Sequence, residues 1–174
     1  MDIGQDSSSV IPIYDGFVLR RGIQRSPLCA SVINSYLSTV LKQSTNPPLT
    51  ITPQYLVKRK QAVEPNTAPR AILKTERIGQ ATDSFNKFAE QLVIHDFKET
   101  IAEVLPFRWT NDQAVHARGG RNFEFPDGFN LNIHPNVRYM CTETLFSPQT
   151  HLPKEVSWPF SVSHRELHAE ILLL

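Results

Sequence analysis

Two Asp-Gly reversals constrain the shape of this chain more than any other feature. The first breaks a β-branched and aromatic run, Val10 to Leu19 (VIPIYDGFVL), at Asp15-Gly16. Glycine reaches positive φ at no steric cost, so the run predicts two short strands folded back through a tight turn. The second is Pro126-Asp127-Gly128, inside Asn122 to Ile133 (NFEFPDGFNLNI), where apolar and polar residues alternate on both sides. Proline presets one turn residue and glycine completes the reversal, so a second hairpin is expected there. A two-stranded hairpin is at best marginal alone, and each of these needs a partner surface.

Helices supply such surfaces. Leu28 to Leu41 (LCASVINSYLSTVL) places Leu28, Val32, Ile33, Tyr36, Leu37, Val40 and Leu41 on one helical face, with Ser26-Pro27 as cap and first-turn proline. From Ser84 to Val104 the series Phe85, Phe88, Leu92, Phe97, Ile101 and Val104 follows helical spacing, capped by Asp83 or Ser84. Gln43 to Asn66 holds Asn46-Pro47-Pro48, Thr52-Pro53 and Glu64-Pro65 around the basic trio Lys58 to Lys60. It is expected to be mostly loop, with one turn of helix at Pro53 to Lys58. Val137 to Phe146 follows the second hairpin, and Pro148 to Leu174 shows no sustained period.

Composition excludes several function classes. The formal net charge of +1 gives no global field for nucleic acid, anionic lipid or acidic substrate, so a charged partner must meet a local patch. Cys29 and Cys141 form neither a CxxC nor a metal spacing, and no disulfide is expected. No apolar run approaches the ~20 residues that span a bilayer, and no signal-peptide pattern opens the chain, so an intracellular protein without membrane partners is expected. His164 and His168 are spaced i, i+4, but HRELH is not HExxH and no third ligand is evident, so no metal site is assigned. Lys58 to Lys60 and Arg118-Gly119-Gly120-Arg121 are expected to be solvated loops, and direct DNA binding is not expected.

The segment Asp2-Ile3-Gly4-Gln5-Asp6-Ser7-Ser8-Ser9 combines acidic, glycine and hydroxyl residues that can present amides to phosphate or hold a hydrated magnesium ion. By itself such a segment is more often an ordinary polar turn. Its context changes the reading. Asp2-Ile3-Gly4, followed after seven residues by Pro12-Ile13-Tyr14-Asp15-Gly16, resembles the second phosphate loop of actin and the strand after it. Phe125-Pro126-Asp127-Gly128, with Thr142 to Pro148 (TETLFSP) beyond, is similar to actin's PDG hairpin and its following segment. Leu92 to Thr100 (LVIHDFKET) resembles the actin helix that carries Asp-Ile-Lys-Glu against the adenosine, here Asp96-Phe97-Lys98-Glu99. The resemblance covers about residues 1–148. Val93 to Phe97, Tyr55-Leu56-Val57-Lys58 and Glu124 to Asn130 favour the nuclear actin-related protein four type over conventional actin.

The resemblance implies an α/β, partial actin-like fold of the actin and heat-shock chaperone ATPase superfamily. Its parts would be a phosphate-loop hairpin at 1–28, a helix-rich small subdomain at 29–120, a PDG hairpin at 121–148 and a divergent tail at 149–174. It carries over a nucleotide site: Asp2 and Gly4 at phosphate-loop positions, Lys98 and Glu99 at base and ribose positions, and His95 where actin has an arginine. Gln5 stands where actin uses a second aspartate to organise the water of its divalent ion, and Asp6 replaces a phosphate-loop glycine; both changes argue against ATPase chemistry. The first phosphate loop, the water-positioning glutamine and the later Gly-Gly segment have no counterparts, so a fragment with half a nucleotide cleft is expected. ATP is then a ligand of full-length relatives, with no cofactor expected for this chain.

The function implied is that of a non-catalytic subunit of nuclear chromatin-remodelling and histone acetyltransferase complexes. Its expected partners are actin, scaffold or motor subunits, and histones. An ATP-binding or ATP-hydrolysing actin-fold protein and a cytoskeletal filament protein are the alternatives, which fold alone does not separate.

Overall fold

Backbone positions with positive φ fall on Gly, Asp and Asn among the described residues, and they include both reversals read from the sequence. The computed structural model describes residues 1–45, 48–105, 115 and 117–146, so the tail at 149–174, with His164 and His168, lies outside the described residues. The chain divides into two units, 1–33 with 143–174, and 34–142; the division falls within the first helix. The architecture is mixed α/β, as expected.

In the first unit, β1 (Asp2–Ile3), β2 (Ser8–Val10) and β5 (Gln24–Ser26) form an antiparallel sheet in the order β1-β2-β5, with Asp2 opposite Ser9 and Ser9 opposite Arg25. The polar segment ahead of the predicted hairpin is therefore itself a hairpin. The predicted one follows as β3 (Ile13–Tyr14) and β4 (Phe17–Val18), joined by Asp15 (φ 50°) and Gly16 (φ 81°). Two consecutive left-handed residues match the twist of the flanking strands. Its apolar side chains are exposed, Phe17 by 75%.

Helix α1 (Ala30–Gln43) starts two residues later than its apolar pattern, because the Ser26 hydroxyl accepts from Leu28 N (3.1 Å) outside the helix. The helix end is instead satisfied by backbone: Ala30 N and Ser31 N donate to the carbonyls of Gly4 and Gln5, each at 3.0 Å. Within the second unit, Tyr36, Leu37 and Leu41 of α1 are buried.

The stretch expected to be loop contains a strand. After a 3₁₀ turn at Gln54–Leu56, where a turn of helix was expected, β6 (Val57–Gln61) pairs antiparallel with β7 (Arg70–Leu73), from Val57 opposite Leu73 to Gln61 opposite Arg70. Val-Lys-Arg-Lys-Gln has low β-propensity, and the pairing partner decides the outcome. Lys58 to Lys60 are thus strand residues, exposed but not in a loop.

Helix α2 (Asp83–Ile101) is capped by Thr82, whose hydroxyl accepts from Phe85 N at 3.3 Å, rather than by Asp83 or Ser84. Its buried face is Ala89, Val93, Ile94, Phe97 and Ile101. Phe85, Phe88 and Leu92, counted on that face from the sequence, are exposed, as is Val104 beyond the helix. At 100° per residue the Phe85-Phe88-Leu92 stripe lies about 140° from the Val93-Phe97-Ile101 stripe.

The second predicted hairpin is β8 (Arg121–Glu124) and β9 (Asn130–Ile133). Gly128 (φ 85°) donates to Phe125 O at 2.9 Å, and Phe125 N donates to Phe129 O at 2.8 Å. Helix α3 (Pro135–Glu143) follows, with proline at its first position, where no amide is needed. No helix among the described residues is long and apolar enough to cross a membrane.

A Cβ at Gly128 would lie 3.0 Å from Gln61 O, on a backbone that L residues rarely adopt. Gly128→Ala is therefore expected to cost about 2 kcal/mol, and Thr82→Ala about 1 kcal/mol through the lost cap. Urea unfolding followed by circular dichroism measures both. Parental stability of the Gly128 variant would contradict the packing described.

Candidate functional site

In the first unit Asp2 lies on β1, and Gly4, Gln5 and Asp6 lie in the turn between β1 and β2. Asp2 is exposed on β1, and Gly4 N is committed to Ser7 O at 3.0 Å. Gly4 and Gln5 direct their carbonyls at the first amides of α1, while the Gln5 and Asp6 side chains are exposed. Behind the turn, buried Ser8 donates its hydroxyl to Leu28 O. Among the described residues, no three His, Cys, Asp or Glu side chains converge on a possible metal position.

His95, Lys98 and Glu99 lie on α2 in the second unit. His95 Nε2 is 3.1 Å from Glu99 Oε1, an i, i+4 pair that engages the carboxylate expected to hold ribose. Lys98 is half-buried, and burial pulls its ammonium below the usual lysine value against the opposing pull of Glu99 and Cys141. Burial pushes the Cys141 thiol up to about 12, with Arg138 O accepting its S–H at 3.2 Å. Tyr36 is raised to about 12, mainly by burial and then by Cys141, and its hydroxyl contacts Met140 Sδ at 2.6 Å. Cys29 and Cys141 are both buried, and neither is in a disulfide.

The segment at residues 2–6 exposes the Asp2 and Asp6 side chains, and His95 and Glu99 on α2 pair with one another.

One highly connected carboxylate was missed by sequence reasoning. Glu103, just beyond α2, receives Arg138 Nη2 at 2.7 Å, Arg121 Nη1 at 3.4 Å and the Tyr139 hydroxyl at 3.1 Å. Its backbone takes part as well: Glu103 N donates to Arg138 O (3.1 Å), and Thr142 Oγ1 donates to Glu103 O (2.7 Å). Arg138 is buried, donates to Gly119 O at 3.1 Å and lies 5.3 Å from the Tyr139 ring centre, with Arg118 at 5.7 Å. Arg118 to Gly120 form an exposed loop, as expected, while Arg121, also exposed, opens β8 and pairs with Glu103. Burial alone would raise the Glu103 carboxyl. Hydrogen bonds from Arg138 and Tyr139, with the charges of Arg138 and Arg121, overcome that and hold it below the usual carboxylate value. No short motif links Glu103, Arg121 and Arg138, so spacing had no way to find them.

Comparison with known proteins accounts for this architecture. The family profile described as Actin matches residues 1–167, and the chain belongs to the actin family. Within that family its similarity is to the actin-related protein 4 type. It is 38% identical over 149 residues to "Actin-related protein 4" of Mycosarcoma maydis, covering 85% of this chain and 28% of that protein. It is 38% identical over 157 residues to the Emericella nidulans protein of the same name, covering 84% and 33%. Its identity to the Schizosaccharomyces pombe "SWI/SNF and RSC complexes subunit arp42" is 27% over 159 residues, covering 85% and 36%. The chain thus spans about a third of the length of these relatives.

The depressed Glu103 carboxyl fixes the sign of a pH effect. Its stabilisation is fully present above the unfolded value of about 4.3 and is lost as pH falls through the lower folded value. Glu103→Gln is expected to lower Tm at neutral pH and to flatten the decline below about pH 4.3. Thermal melts across that range measure it, and parallel acid limbs for parent and variant would remove Glu103 from the account.

Proposed function

We propose that this chain is part of a non-catalytic, actin-related subunit of nuclear chromatin-remodelling and histone acetyltransferase complexes. It acts as an architectural element beside actin and the scaffold or motor subunits, with histones as further contacts. The observation that carries the reading is the 38% identity to two fungal actin-related protein 4 sequences. The similarity to a relative named for the SWI/SNF and RSC complexes supports it. Replacing the family's second aspartate by Gln5 removes a charge that metal-assisted hydrolysis uses, and Asp6 adds one where phosphate would lie. Both favour a structural over a catalytic role. ATP, where relatives bind it, would act as a clamp that stabilises the closed form by linkage and needs no turnover.

The second reading, an ATP-binding actin-fold protein, rests on Asp2, Gly4, Lys98 and Glu99 being retained at the family's positions. Affinity purification of the endogenous protein, with mass spectrometry of its companions, tests the first reading; calorimetry of the chain with Mg-ATP tests the second. Remodeller or acetyltransferase subunits in the eluate and no heat of binding are expected. Sub-millimolar ATP binding with phosphate release would overturn the non-catalytic reading. An eluate free of chromatin subunits would overturn the assembly.

A further inference from the structure

The β6–β7 hairpin carries an uncompensated cationic face. The register sets Arg59 opposite Ile72 and Gln61 opposite Arg70, so these four side chains share one side of the two-stranded sheet. All four are exposed, Ile72 by 58%, and with Ala71 they line a shallow depression of about 220 Å³. Neither guanidinium takes part in an ion pair among the described residues. Lys58, at the irregularity between Val57 and Arg59, adds a further exposed charge. The neighbouring residue contrasts with these: Lys60, one position on, is matched by Glu124 at 2.6 Å. Two guanidinium groups beside one depression repel each other, and an anion between them relieves that repulsion.

We propose that this face docks an acidic, extended segment of a partner protein, with carboxylates seated on Arg59 and Arg70 and an apolar side chain against Ile72. A guanidinium offers a planar fork that matches a carboxylate with two parallel hydrogen bonds. In an extended segment alternate side chains share a face, so an acid-x-apolar-x-acid pattern presents all three groups together. Charge pattern selects this occupant over nucleic acid. A duplex is held by a row of cations neutralising successive phosphates, whereas here the arginines flank an exposed isoleucine and the chain's net charge is only +1. The surface is separate from the residues of the nucleotide-site resemblance and does not depend on the chromatin reading.

The test uses the full chain and a fluorescein-labelled peptide, Gly-Ser-Glu-Ser-Val-Ser-Glu-Ser-Gly, followed by anisotropy. Saturable binding is expected. It should weaken about tenfold or more for Arg59→Gln/Arg70→Gln and for a peptide with Gln in place of Glu, because each change removes charge-assisted hydrogen bonds. Arg59→Lys/Arg70→Lys, which keeps charge but loses the fork, should fall between parent and Gln variant. Lys60→Gln should bind as the parent does. Circular dichroism checks that each variant is folded. Equal binding by parent and double Gln variant, or no saturable binding by the parent, would overturn the proposal. So would a duplex oligonucleotide that binds through these arginines while the peptide does not.

Discussion

The second unit depends on the seating of Phe97 against the β8–β9 hairpin. The side chain is fully buried, with Phe123 edge-on at 5.0 Å and Phe125 near-parallel at 6.1 Å, and Phe125 continues to Phe129 at 6.1 Å. A hairpin alone is marginal, and so is an isolated helix the length of α2. Each aromatic contact contributes about 0.5–1.5 kcal/mol beyond area burial, and the inter-element ones exist only when both elements are in place. Helix and hairpin therefore stabilise each other, and the Asp-Gly turn becomes part of a tertiary arrangement.

Two carboxylates extend that arrangement by opposite means. Asp127 is buried, and its oxygens accept from Phe129 N and Thr52 Oγ1, both at 3.0 Å, so neutral donors pin the turn to the segment before β6. Asn66 N to Asn130 O at 2.7 Å adds a backbone link between the same regions. Glu103 is held by charge, with two arginines and a tyrosine converging from β8 and α3. A buried arginine such as Arg138 is tolerated because its charge is matched at 2.7 Å; removing Glu103 would strand that charge away from water. Together these groups tie α2, α3 and both hairpins of this unit without further apolar surface.

What was legible in the sequence was what local chemistry decides. Asp15-Gly16 and Pro126-Asp127-Gly128 specify backbone conformations that few residues reach, and both hairpins appeared where they were expected. The family resemblance rested on the same segments, which the Actin profile also spans. What escaped was decided at a distance. Val57 to Gln61 has no alternating pattern because four of its five residues are exposed, and only pairing with Arg70–Leu73 makes it a strand. On α2, two apolar stripes share one helix, and spacing could not say which one a neighbour would cover. The Glu103 network joins residues that no periodicity relates. For the candidate site, the sequence supplied residue types at family positions but not their hydrogen bonds, which lie in the backbone of the Gly4 turn and in the His95–Glu99 pair.

Those bonds bear on function through a general requirement: a group that binds or transforms a ligand needs a donor, acceptor or charge left over after folding. The Gly4 amide and the Gly4 and Gln5 carbonyls are used within the first unit, and Glu99, Lys98, Cys141 and Tyr36 are engaged or desolvated within the second. Capacity is instead left over on surfaces. Phe85, Phe88 and Leu92 form an exposed apolar stripe, Phe85 leaning on Tyr55 at 5.1 Å, and Arg59 and Arg70 keep their charges unmatched. Exposed apolar residues in continuous stripes are characteristic of surfaces that meet other proteins. The apolar stripe on α2 and the cationic face of the β6–β7 hairpin are therefore where the described residues keep capacity to meet another protein.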